Sequence, residues 1–135
     1  MSGLAWLAFL IAAAIGAPAR YVIDELVTSR SLRRKTATGR TGGAFPWGTF
    51  VVNVSGSFVL GAITGLGLYH GLDSTAQTVL GTGGMGAYTT FSTFSYQSVR
   101  LAEEGAIDQA LRNIAASFIV CLAAASTGLA LTALL

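Results

Sequence analysis

Residues 83–95 read Gly-Gly-Met-Gly-Ala-Tyr-Thr-Thr-Phe-Ser-Thr-Phe-Ser, inside a stretch without a charged side chain from Ser74 to Val99. The stretch is long enough to cross a bilayer, which takes about 20 apolar residues. Its middle, however, is glycine, hydroxyl groups and two phenylalanines rather than Leu, Ile and Val. Irregular, polar backbone is tolerated at membrane depth only where protein or a water-filled path covers it. The stretch therefore reads as a spanning segment interrupted near Gly83–Thr90, with a site inside the membrane for an ion or an ion path.

Outward from this stretch the chain keeps the same character. Its 135 residues are 53% hydrophobic and 10% charged, with mean hydropathy +0.64. A soluble domain carries about a quarter charged residues, so composition indicates an integral, all-α membrane protein. Uncharged stretches cover 1–19, 41–72, 74–99 and 113–135. They predict four transmembrane helices over about 4–27, 46–69, 75–101 and 110–134, in a single domain spanning 1–135. Thr28–Gly43, polar and basic with three glycines, reads as a loop. The first segment lacks a basic n-region and reads as a retained helix, not a signal peptide. The net charge of +2 is too small to argue for nucleic acid. Arg30, Arg33, Arg34 and Lys35 read instead as an orientation or lipid-headgroup signal. Cys121, the only cysteine, excludes an internal disulfide and a multi-cysteine metal site,.

Helix 2 carries Thr49, Asn53, Ser57, Gly61 and Gly65 every four residues, on one stripe,. Its lower half is small-xxx-small, which lets another helix approach closely. Its upper half places a hydroxyl and a carboxamide on the same line. Asn113 and Ser117 repeat the idea in helix 4. Such side chains either glue helices together or line a polar path. Within helix 3, Gly86 and Thr89 bracket the expected break. Backbone carbonyls released there are hard ligands that suit Na⁺, K⁺ or Ca²⁺, and with no carboxylate nearby a monovalent cation is the better match. The same residues also suit a glycine-rich packing contact with a kink and no ion. Phe91 and Phe94 share a helical face, either as ordinary apolar side chains or with their positive ring edges toward a small anion. Ser92 and Thr93 offer hydroxyl donors nearby. Arg20 closes the first uncharged stretch, as an interfacial arginine or as a cation that concentrates anions at a vestibule, with Asp24 and Glu25 as candidate partners. His70 reads as an interfacial residue.

Three segments resemble the Fluc fluoride channels, also called CrcB proteins: Gly16-Ala-Pro-Ala-Arg20-Tyr21, Trp47-Gly-Thr-Phe-Val-Val-Asn53-Val-Ser-Gly-Ser-Phe58 and Gly83–Ser95. The run Thr89-Thr-Phe-Ser-Thr-Phe-Ser95 is the most specific, and the resemblance extends over essentially the whole chain. It implies a passive, fluoride-selective channel of the plasma (inner) membrane of a prokaryotic host that lets the cell shed fluoride. It also implies a four-helix subunit in an antiparallel, dual-topology dimer with two pores. Carried over by residue, the backbone carbonyls of Gly86 and Thr89 hold a structural Na⁺ at the dimer centre. Phe91 and Phe94 line the pores, and Asn53 orients pore donors. Thr49, Ser92 and Ser117 belong to the polar track, and Arg20 lies near the vestibule. One feature departs from the family pattern. With four spans, all eight Lys and Arg fall at or near one side of the membrane, which predicts a single orientation,. An antiparallel heterodimer with an oppositely oriented paralogue therefore stands beside the homodimer. Two other classes remain. A small multidrug-type antiporter needs a membrane-embedded carboxylate, whereas all six acidic residues here lie at or near segment ends. A non-conducting subunit of a heterodimeric channel would leave the hydroxyl-phenylalanine motif without a use. No nucleophile–base–orienter set is visible, so the chain is not expected to be an enzyme.

Overall fold

A computed structural model describes residues 2–37 and 45–135. Among these residues the regular structure is entirely helical. Helix α1 runs over Gly3–Ala37 and α2 over Trp47–His70. The third segment, 74–88, is called α3 here: an α-helical turn at Ser74–Gln77, a π-helical stretch at Thr78–Met85 and a last turn at Gly86–Tyr88. After a break, α4 covers Ser92–Glu103, and α5 covers Ile107–Thr132. Helices α1, α2 and α5 are each long and apolar enough to cross a membrane. The interrupted α3–α4 segment is the fourth element of the bundle.

The expectation that α1 ends near Val27 is corrected. Residues 28–37 continue the helix, while 38–43 of the expected loop lie outside the described residues. The segment is polar, but it holds neither Gly nor Pro, and its Leu, Arg, Lys and Ala are good helix formers. Its hydroxyls bond within the helix: Thr28 Oγ1 donates to Asp24 Oδ1 (3.0 Å), Ser29 Oγ to Leu26 O (3.1 Å) and Thr36 Oγ1 to Leu32 O (3.1 Å). Polarity determined whether these residues meet water, not whether their backbone is helical. Pro18 lies inside α1, and the helix continues through it.

Helices α2 and α5 cross at backbone contact. A Cβ on Gly61 would run into the Ala125 carbonyl, and one on Gly128 into the Phe58 carbonyl. Only glycine permits that approach. It explains the lower half of the small-residue stripe, with Gly128 as the matching position on the other helix. At the end of α2, Gly71 takes the left-handed conformation (φ 67°) and the Leu72 amide donates back to Leu66 O (3.1 Å),. His70 Nε2 donates to the Thr132 carbonyl (2.6 Å), so α2 and α5 end on the same side. Asp73 then caps α3, accepting from the amides of Thr75 (2.8 Å) and Ala76 (3.2 Å). Those backbone bonds, Ala76 first, hold its carboxyl below the ordinary aspartate range.

Candidate functional site at the break between α3 and α4

The glycine-rich run leaves regular α-helix early. Residues Thr78–Met85 form π turns, which are rare and frequently mark functional sites,. The chain then leaves the helix at Thr89, whose backbone is extended (φ −78°, ψ 162°). The break comes between Tyr88 and Ser92, at the end of the interval expected from the sequence.

What holds it is Asn53. Its Nδ2 donates to the Thr90 carbonyl (2.9 Å), and the Thr90 amide donates to its Oδ1 (2.8 Å). A carboxamide has the donor–acceptor geometry of a peptide group. Asn53 therefore replaces both helical partners that Thr90 loses at the break. The Thr90 side chain caps the next helix: its Oγ1 accepts from the Thr93 amide (3.2 Å) and donates to Thr93 Oγ1 (3.0 Å),. Ser92 Oγ lies 3.3 Å from the same hydroxyl. Beneath the break, Tyr88 Oη and Ser55 Oγ bond at 2.8 Å. Gly56 makes room there, since a Cβ on it would meet the Thr89 methyl.

Several carbonyls remain without partners at the break, Gly86 O and Thr89 O among them. The Thr89 amide and hydroxyl both donate to Met85 O, each at 2.9 Å. Neither Gly86 O nor Thr89 O accepts a hydrogen bond from a described residue. A Cβ on Gly86 would meet only Gly81 O, at 4.0 Å, so this side of the break is open within the subunit. No three His, Cys, Asp or Glu side chains converge among the described residues. A hard cation at this place would thus be held by backbone oxygen, and the Gly86 and Thr89 carbonyls fit that chemistry.

Phe91 and Phe94 follow directly. Their ring centroids lie 5.8 Å apart with planes tilted by 47°. Phe91 is 79% exposed on the subunit surface and Phe94 is half-buried. A buried polar chain braces the helix behind them. Ser98 Oγ donates to the Phe94 carbonyl (2.8 Å), Asn113 Nδ2 donates to Ser98 Oγ (2.9 Å) and Ser117 Oγ lies 3.5 Å from Asn113 Oδ1. Asn113 is 1% exposed. The sequence-predicted residues thus divide into groups. Asn53, Gly86, Thr89, Phe91, Ser92 and Phe94 come together at the break, while Ser117 reaches it through Asn113 and Ser98.

Thr49 lies one turn below Asn53 and is buried, 2% exposed, with its hydroxyl donating to Asp24 Oδ2 (3.2 Å). Arg20 is half-buried on α1. Its expected pairing with Asp24 or Glu25 is corrected: no such ion pair forms, and Asp24 instead takes the hydroxyls of Thr28 and Thr49. Thr90, Ser98 and the Tyr88–Ser55 pair were missed from sequence. For Thr90 a signal existed, a threonine three residues before another threonine at a helix start.

Three apolar helices of spanning length, with a fourth segment broken and its break tied by polar side chains, define a helical membrane protein that leaves backbone carbonyls unpaired at the break. The family model described as "CrcB-like protein, Camphor Resistance (CrcB)" matches residues 7–129, and the chain belongs to this family. It is 43% identical over 129 residues (96% of this chain, 87% of the relative) to fluoride-specific ion channel FluC 1 of Leifsonia xyli. It is 42% identical over 123 residues (91% of each chain) to fluoride-specific ion channel FluC 1 of Streptomyces avermitilis. It is 37% identical over 123 residues (91% of this chain, 86% of the relative) to fluoride-specific ion channel FluC 2 of Mycobacterium bovis. The family is one of ion channels, not of enzymes.

Proposed function

We propose that this chain is a fluoride-selective passive channel that lets cytoplasmic fluoride leave down its electrochemical gradient across the plasma membrane. The observation that carries the reading is the Asn53 clamp on Thr90, which holds a helix break open beside the Phe91–Phe94 pair. The printed names of the relatives support fluoride as the ion.

The arrangement suits a small, strongly hydrated anion. Fluoride needs hydrogen-bond donors in place of its water but no fixed cation that would trap it. Asn53 spends one Nδ2 hydrogen on Thr90 and keeps the other. Thr93 accepts from Thr90, which leaves its own hydroxyl hydrogen to give. Ser92, which is exposed, adds a second hydroxyl, and the edges of Phe91 and Phe94 offer partial positive charge without a salt bridge,. Thr49 and Ser117 extend the polar track on either side, and Arg20 raises the anion concentration at the vestibule.

Phe91 lies on the subunit surface, so a path along it requires a second wall. An antiparallel dimer supplies one and yields two pores. Gly86 O and Thr89 O, neither of which accepts a hydrogen bond within the subunit, suit a structural Na⁺ at the dimer centre; when bound, the ion would neutralise the two carbonyl dipoles and fix the break. The charge distribution favours a particular form of this dimer. Arg30, Arg33, Arg34, Arg100 and Arg112 lie at the end of the bundle opposite the His70–Thr132 contact. A chain so polarised inserts one way, and an oppositely oriented paralogue would complete the antiparallel pair.

The test is fluoride efflux from liposomes containing the purified protein, followed with a fluoride electrode and with chloride as the control ion. Rapid fluoride release without chloride release is expected. If neither the chain alone nor the chain reconstituted with its paralogue releases fluoride, the reading fails.

A further inference from the structure

The continuation of α1 beyond its apolar part places charge where composition alone put a loop. Helix α1 has 35 residues. At 1.5 Å per residue, about 20 of them cross the roughly 30 Å hydrocarbon core, so a span beginning near Leu4 leaves the core near Asp24. Ile15, Val22, Leu26, Arg30 and Arg33 follow at spacings of seven, four, four and three residues, which is one ridge of a helix. Ile15, Val22 and Leu26 are exposed on the outside of the subunit, as are both arginines. The apolar ridge exposed on the subunit therefore runs unbroken into two arginines. Asp24 and Glu25 lie on other faces of the helix, so the ridge itself carries no acid.

Helix direction supplies the reach. The Cα–Cβ bonds of a helix tilt toward its N-terminus. On a helix that leaves the membrane at its C-terminal end, side chains lean back toward the bilayer. The backbones of Arg30 and Arg33 lie roughly 9 and 14 Å beyond the core edge along the helix axis. The headgroup layer is about 5–8 Å thick on each side. The backward lean, together with long arginine stems that snorkel, brings both guanidinium groups to that layer.

We propose that Arg30 and Arg33 form a docking surface for the phosphate of an anionic phospholipid. Phosphate accepts two parallel N–H bonds from a guanidinium, and the acyl chains of the same lipid lie along Ile15, Val22 and Leu26. The inference rests on α1 spanning the membrane and is independent of what the channel conducts.

Native mass spectrometry of the full-length protein, released from mixed micelles containing equal amounts of phosphatidylglycerol and phosphatidylcholine, tests it. Phosphatidylglycerol adducts are expected to exceed phosphatidylcholine adducts. Near a membrane surface each arginine is worth about a five-fold preference for anionic lipid, so R30Q/R33Q should lower the preference by up to about 25-fold. R112Q, which removes an exposed arginine paired with Asp108 on α5, should leave it unchanged. Equal adduct formation by wild type, or a preference that survives R30Q/R33Q with helicity intact by circular dichroism, would overturn the proposal. So would equal binding of glycerophosphoglycerol, the headgroup without acyl chains, since it would make the ridge a free-anion site.

Discussion

Replacing Asn53 by Asp tests the clamp at its weakest point. In the structure Asn53 gives one hydrogen bond to Thr90 O (2.9 Å) and receives one from Thr90 N (2.8 Å). Aspartate keeps the acceptor and loses the donor. The Thr90 carbonyl is then left facing a carboxylate oxygen in a part-buried site. Stranding a buried acceptor costs about 1–3 kcal/mol, before any repulsion between the two oxygens. At about 1.4 kcal/mol per factor of ten, the population of the clamped break falls roughly 5- to 150-fold. The new negative charge also lies beside the proposed anion path and acts in the same direction. Fluoride efflux from liposomes should therefore fall at least about tenfold. Hydrogen exchange at the Thr90 amide separates the two causes. In Asn53→Ala, which loses both bonds without adding charge, that amide should exchange faster, and in Asn53→Asp it should stay protected because its acceptor survives. Wild-type flux in Asn53→Asp, or unchanged Thr90 exchange in Asn53→Ala, would refute the clamp.

Further outcomes follow from other contacts. Phe94→Ile, which removes the ring edge while keeping an apolar side chain, should reduce fluoride flux strongly and leave the size-exclusion profile unchanged; retained flux would take Phe94 out of the path. Asn113→Leu removes the buried bond to Ser98 and the acceptor 3.5 Å from Ser117. It should cost about 1–3 kcal/mol, read as a fall of roughly 3–10 °C in the unfolding midpoint in detergent. Gly61→Val places a side chain against the Ala125 carbonyl and should abolish a monodisperse folded peak. Gly86→Ala meets only Gly81 O at 4.0 Å within the subunit and should fold normally as a single chain. A loss of dimer or of Na⁺-dependent stability in that variant is expected, and wild-type behaviour in both would argue against a cation at this carbonyl.

The sequence alone determined the membrane class, because charge is excluded from long stretches and lipid leaves few other choices for such a chain. It also placed the interruption of helix 3 to within a few residues: Gly83–Thr90 was expected, Gly86–Tyr88 remains helical, and the chain leaves the helix at Thr89. Glycines and hydroxyl side chains at membrane depth weaken the helical ladder locally, and local chemistry is what sequence records best. The close approach of α2 to another helix was likewise legible in Gly61 and Gly65. The extent of α1 was not. Polar composition reports exposure to water, and Thr28–Ala37 is helical while Arg30, Arg33, Arg34 and Thr36 within it are exposed. The partners of the polar side chains lay further out of reach. Asn53 and Thr90 are 37 residues apart, and Asn113 and Ser98 are 15 apart. Periodicity placed Thr49 and Asn53 on one stripe, yet only the packed bundle sent Thr49 to Asp24 and Asn53 to Thr90. A carboxamide on a helix face has the same propensity whether it glues helices, lines a path or replaces a missing backbone partner. Which of these it does depends on the atoms that face it, and the tertiary structure brings those atoms together.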